Sequence, residues 1–163
     1  MGQKITTCLW FDRNAEEAIA FYTGIFDDVQ ITATDPYLEG GYGPVGEPMY
    51  IEFTLNGRDF SAINGGPEFK FNEAISLVVD CKDQTEVDYF WEKLGDGGEY
   101  GPCGWLKDKY GLSWQITPTR LYELIRDPDP ARASAATKAM LQMGKINIAE
   151  LEAAAIAAEP AKV

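Results

Sequence analysis

Glu17-Ala18-Ile19-Ala20-Phe21-Tyr22 can be laid over Glu86-Val87-Asp88-Tyr89-Phe90-Trp91, an offset of 69 (86 − 17 = 69), and the same offset puts Ile25 on Leu94. A chain that repeats itself in this way builds one supersecondary unit twice, and each copy needs a partner to bury its apolar face. The seam between the copies is Asn64-Gly65-Gly66-Pro67, a cluster of chain breakers. After it come Glu68-Phe69-Lys70-Phe71-Asn72 and then a strand-like run, Glu73 to Asp80, carrying Ile75, Leu77, Val78 and Val79. A length of 163 residues allows one domain, or two small halves sharing a core.

Within the first half, β-branched and aromatic residues predict a strand over 4–11. Asn14 followed by Glu17 reads as a capping-box helix start, and Ala15, Ala18, Tyr22 and Ile25 then share one helical face. Residues 29–34 read as a strand, and the breakers of 35–48 predict a long, mobile loop. Met49 to Leu55 and Arg58 to Asn64 form a hairpin around Asn56-Gly57, a type I′ signal. In the second half, Asp83 and Glu86 form a cap pair before a helix carrying Val87, Phe90, Trp91 and Leu94. Gly97-Gly98 ends that helix. Short strands follow near 99–100, 104–107 and 112–117, the last two joined through Lys109-Tyr110-Gly111.

Beyond Pro118 the pattern becomes helical. A short helix over 119–126 stops at Asp127-Pro128-Asp129-Pro130, a second starts near Ala131, and Asn147 with Glu150 opens a third. Met140, Leu141, Met143 and Ile146 make this an apolar hairpin that packs on the domain or on a second subunit. The expected division is paired modules over 1–117 (about 4–64 and 73–117) and a helical extension over 118–163.

Charge and residue usage narrow the function. A net charge of -12 opposes binding to nucleic acid, whose phosphates need clustered Lys and Arg. No apolar run approaches the roughly eighteen residues of a membrane span, so no membrane partner is expected. The chain runs straight into a strand-like segment without a signal-peptide pattern, and Cys8, Cys81 and Cys103 show no paired spacing; both imply a cytoplasmic setting. There is no histidine, which removes Ser-His-Asp and Cys-His catalysis and every imidazole metal ligand. Cys103 as a nucleophile would need Lys107 or Lys109 beside it, and Glu68 with Glu73 is a conceivable acid–base pair.

Several stretches together resemble one family: Leu9-Trp10-Phe11-Asp12 with Glu16-Glu17-Ala18, Phe60 to Pro67, Phe69 to Ser76, Cys103 to Gly111 with Ser113-Trp114-Gln115, and Asp127-Pro128-Asp129-Pro130. The chain resembles the PhnB-like branch of the vicinal oxygen chelate superfamily, the branch labelled 3-demethylubiquinone-9 3-methyltransferase. The resemblance implies an α+β fold in which two β-α-β-β-β modules form a curled mixed-sheet cup of the glyoxalase/bleomycin resistance/dioxygenase type, followed by C-terminal helices. It also implies a homodimer. Metal enzymes of that superfamily carry one ligand on each of four strands. Those positions fall here on Ile5, near Asn64, on Ala74 and on Gln115. Ile5 and Ala74 have no donor, so no metal and no other cofactor is expected. The methyltransferase label lacks support from a glycine-rich strand-to-helix loop.

Strand alternation then sorts the side chains. Ile75, Leu77 and Val79, with Cys8, Trp114 and Ile116, are expected under helices. The opposite faces carry Thr7, Asn64, Ser76, Ser113 and Gln115, small and polar, which leave room for a ligand. With Phe69, Phe71, Trp105 and Lys107 they make the expected ligand-binding set; no catalytic residue is assigned. Three functions follow: a metal-independent protein that binds a small molecule, a metal-independent transferase or isomerase using carboxylate or Lys groups at the cup mouth, or a structural partner protein acting through its C-terminal helices.

Overall fold

The computed structural model describes residues 5–158. Its chain forms two compact units, Met1–Phe71 and Asn72–Val163. The first contains β1 (Thr7–Phe11), α1 (Ala15–Thr23), β2 (Val29–Pro36), β3 (Pro48–Leu55) and β4 (Arg58–Asn64). The second repeats the order with β5 (Leu77–Cys81), α2 (Gln84–Gly95), β6 (Glu99–Tyr100), β7 (Trp105–Lys107) and β8 (Ser113–Pro118). It then adds α3 (Thr119–Ile125), α4 (Pro130–Met140) and α5 (Ile148–Ala157). The sheets share one topology, β1-β4-β3-β2 and β5-β8-β7-β6. In each, first and last strands of the module pair in parallel and the other pairs are antiparallel. The two helices start at Ala15 and Gln84, the offset of the sequence repeat (84 − 15 = 69).

Local chemistry sets the turns. Asn56 and Gly57 both take positive φ, 50° and 75°, and Leu55 pairs directly with Arg58, as a two-residue type I′ hairpin requires. Buried Asp108 organises the β7–β8 turn: its Oδ1 accepts from the Tyr110 and Leu112 amides at 2.9 and 3.1 Å. Asp108 Oδ2 accepts from the Trp114 indole at 2.9 Å. The turn thereby holds the largest fully buried side chain of the protein in place.

The helical faces are those the spacing predicts. Ala15, Ala18, Tyr22 and Ile25 are buried in the first unit, and Val87, Trp91 and Leu94 in the second, where Phe90 is half-buried. Trp91 stacks on Tyr100 with centroids 4.9 Å apart, so α2 covers the face of its sheet that carries Tyr100, Leu106 and Trp114. Burying each such large side chain contributes about 1.5–3 kcal/mol. Leu121, Leu124, Ala136, Ile146, Leu151 and Ala155 form the core of the C-terminal helices, and Met140 and Met143 pack against it, while Leu141 is exposed. Among the described residues no helix is long and apolar enough to cross a membrane.

Four expectations change. The strand predicted from Glu73 begins at Leu77, because Asn72 Oδ1 accepts from the Ala74 amide at 2.9 Å and bends the chain first. Ile75 therefore sits in a bend and is exposed rather than under a helix. On β1 the faces are reversed: Cys8 is exposed, and Leu9 and Phe11, in phase with Thr7, are buried. Trp10, on the face of Cys8, is half-buried instead by Phe69 at 4.9 Å and donates its indole N–H to the Gly66 carbonyl, which leaves the Leu9 and Phe11 face to the core. Finally, Asn14 makes no side-chain cap to α1. The cap comes from β4, where Asn64 Oδ1 accepts from the Ala15 amide at 2.9 Å. The predicted loop is also shorter, since β2 runs to Pro36 and β3 begins at Pro48. Buried Tyr37 holds it, donating its amide to the Glu47 carbonyl at 2.8 Å and accepting from the Gly46 amide at 3.0 Å.

Candidate functional site

The face of the second sheet opposite Trp114 is built by alternation. Register places Lys107 between Glu99 on one side and Ser113 on the other, and Trp105 opposite Gln115. All five side chains therefore leave the sheet opposite the Trp114 face. Trp105, Lys107, Ser113 and Glu99 line a cavity of about 330 Å³. Pro102 extends its apolar wall, and Glu73, from the turn before β5, also lines it.

Lys107 is the charged centre of this cavity. Its ammonium lies 2.5 Å from Glu73 and 3.9 Å from Glu99. Hydrogen bonding to Glu73 raises the Lys107 pKa above the ordinary amine range, and the same bond holds Glu73 below the ordinary carboxylate range. The shared bond makes Glu73 a weaker base and Lys107 a weaker acid, which suits holding a ligand better than moving a proton. The pair is partly exposed and contributes little to stability. Ser113 behaves differently. It is fully buried, and its Oγ finds no hydrogen-bond partner among the described residues. An unmatched buried hydroxyl costs free energy unless something else bonds to it.

The sequence-predicted residues separate. Trp105, Lys107 and Ser113 meet at the cavity. Ser76 and Gln115 bond to each other at 2.9 Å, with Gln115 the direct neighbour of Trp105 in the sheet. Thr7, Asn64, Phe69 and Phe71 belong to the first unit. There Phe69 packs edge-on against Trp10 at 4.9 Å and Phe71 against Phe11 at 5.3 Å. Asn64 has its side chain committed: besides capping α1 it donates to Glu16 Oε2 and to the Pro48 carbonyl, both at 2.9 Å. Its own carbonyl accepts from the Tyr37 hydroxyl. Asn64 is a clamp on the first module. Glu99 went unnoticed in the sequence; its only signal was a place on a two-residue strand whose partner is Lys107.

The four superfamily metal positions do not fit a metal. Ile5 is an exposed aliphatic residue, Asn64 is spent on three internal bonds, Ala74 lies in a turn, and Gln115 donates to Ser76. Among the described residues no group of three or more His, Cys, Asp or Glu is placed to hold an ion.

The buried Cys81 thiol is not poised for attack. Burial pushes Cys81 up to about 12, with Glu86, Asp80 and Asp83 adding to the shift. Cys103 is half-buried at a positive φ of 56°, its amide bonded to the Met143 carbonyl at 2.7 Å. In native protein at about pH 8, iodoacetamide should therefore modify exposed Cys8 and leave Cys81 intact, because only the thiolate reacts. Peptide mass mapping reads this, and native labelling of Cys81 at a rate like that of Cys8 would contradict it. A raised thiol pKa favours the protonated, folded form, so this contribution is lost as pH climbs from about 8.5 towards the folded value of about 12.

Comparison with known proteins adds the following. The family described as 3-demethylubiquinone-9 3-methyltransferase matches residues 3–117. A PhnB protein from Bacillus cereus is 40% identical, with a TM-score of 0.63 over 72% of this chain and 100% of its own. A protein from Pseudomonas aeruginosa is 16% identical, with a TM-score of 0.58 over 72% of this chain and 98% of its own. The fosfomycin resistance protein FosX from Listeria monocytogenes is 14% identical, with a TM-score of 0.53 over 76% of this chain and 98% of its own; at that identity the likeness is one of fold. Among curated proteins no sequence matches.

Proposed function

The chain belongs to the 3-demethylubiquinone-9 3-methyltransferase family, the PhnB-like branch of the vicinal oxygen chelate superfamily, and from that premise we propose that it binds a small molecule in the second-unit cavity without a metal. The observation that carries the reading is the Ser113 hydroxyl, buried and unpartnered at a wall of that cavity. A volume of about 330 Å³ is at the lower end of the range for small-molecule sites. The cavity has the makeup of such sites, an aromatic and aliphatic wall with a few polar groups set into it. Binding is favoured over acid–base catalysis because Glu73 and Lys107 are already bonded to each other, at 2.5 Å.

A fragment screen followed by backbone amide NMR tests this. Binders should shift the Trp105, Lys107 and Ser113 amides equally with and without EDTA. Ser113→Trp, which fills the space, should abolish the shifts. Binders that map elsewhere, or that lose affinity when EDTA is added, would sink the proposal.

A further inference from the structure

We propose that this cavity selects an uncharged, mostly apolar molecule through one acceptor oxygen, and that Glu73 and Glu99 serve to turn anions away. The inference rests on the reading of the cavity as the binding site.

Lys107 and Ser113 are direct partners across the antiparallel β7–β8 pair. Side chains at such positions stand side by side on one face, with Cβ atoms about 4.5–5.5 Å apart. One offers an ammonium N–H and the other a hydroxyl that has no partner among the described residues. An oxygen placed between them would accept from both. Lys107 has hydrogens to spare, because an ammonium carries several donors and Glu73 takes one. Trp105 stands two residues before Lys107 on the same face and lines the same cavity. A flat apolar body attached to the acceptor oxygen would lie against its indole.

The charge of that oxygen is set by the surroundings. An isolated lysine would favour a carboxylate or phosphate. Here Lys107 faces two carboxylates, at 2.5 and 3.9 Å, in a chain of net charge -12. An anion bonding to Lys107 would sit close to both glutamates. A like charge at about 4 Å is strongly unfavourable even at an effective dielectric of about 20. A neutral carbonyl oxygen keeps the charge-assisted bond without that repulsion. Rejecting the wrong ligand by an unfavourable charge is a common source of specificity.

Three probes of one shape separate the alternatives: benzamide, benzoate and benzylamine. Titrations followed at the Lys107 and Ser113 amides should show benzamide binding at least about tenfold tighter than either ion, a factor read directly from the dissociation constants. Ser113→Ala should weaken benzamide several-fold. In Glu73→Gln/Glu99→Gln, changes at two exposed positions, benzoate should overtake benzamide. Tighter binding of benzoate or benzylamine to the unaltered protein would overturn the ligand class while leaving the site. If none of the three shifts the cavity amides at about 10 mM, a concentration that would reveal even a millimolar constant, the site itself fails and this inference with it.

Discussion

Replacing Asp108 by alanine should destabilise the protein by about 3–5 kcal/mol, the largest loss expected from a change to one polar side chain here. The carboxylate is buried and accepts from the Tyr110 and Leu112 amides and from the Trp114 indole. Hydrogen bonds to a charged acceptor are worth about 1.5–3 kcal/mol each, and they do not add fully because the three share one group. Removing the acceptor strands the donors in a buried turn. Asp108→Asn should fall between alanine and the native residue: its oxygen can still serve the two amides, but its NH2 then faces the indole N–H. Urea unfolding with an unchanged m-value is the measurement. A loss below about 1 kcal/mol for Asp108→Ala would show that the turn holds without it. A double-mutant cycle with Trp114→Phe should return a coupling of about 1 kcal/mol or more between turn and core.

Asn64→Ala should cost about 2–4 kcal/mol, although position 64 was a candidate ligand contact. The amide caps α1 through the Ala15 N–H and bonds to Glu16 and to the Pro48 carbonyl, tying helix, β3 and β4 together. Alanine leaves the Ala15 donor and the Pro48 acceptor without partners. Aspartate is no rescue: it would accept from Ala15 but place a second carboxylate against Glu16 and offer nothing to Pro48. Both variants should unfold at lower urea concentration. At temperatures where they remain folded, benzamide binding to the second-unit cavity should be unchanged. A stable Asn64→Ala with a lost binding constant would return Asn64 to the ligand and overturn its structural role.

These two residues also mark where reading the chain alone stops. Asp108 stood inside the Lys107-Asp108-Lys109-Tyr110-Gly111 stretch and looked like one more polar turn residue. Its importance comes from Trp114, six positions on, being folded back above it. Asn64 looked like an inward-facing polar residue on a strand, and its partners lie 16, 48 and 49 residues away. Asn72 stopped the strand of Glu73 short through a local side-chain bond that the apolar run concealed.

The sequence by itself determined the repeated module, both hairpins, the covered faces of the two module helices and the shared face of Ser113 and Gln115 on the last strand. Each of these follows from a local period or a turn chemistry acting over a few residues. Only the tertiary structure decided which face of β1 is covered, which asparagine caps α1, and which predicted polar residue is left unsatisfied. Burial and hydrogen-bond satisfaction depend on atoms brought in from distant parts of the chain. Ser113 and Asn64 look alike as small polar strand residues. The fold surrounds one with partners for its side chain and leaves the other's hydroxyl against a cavity.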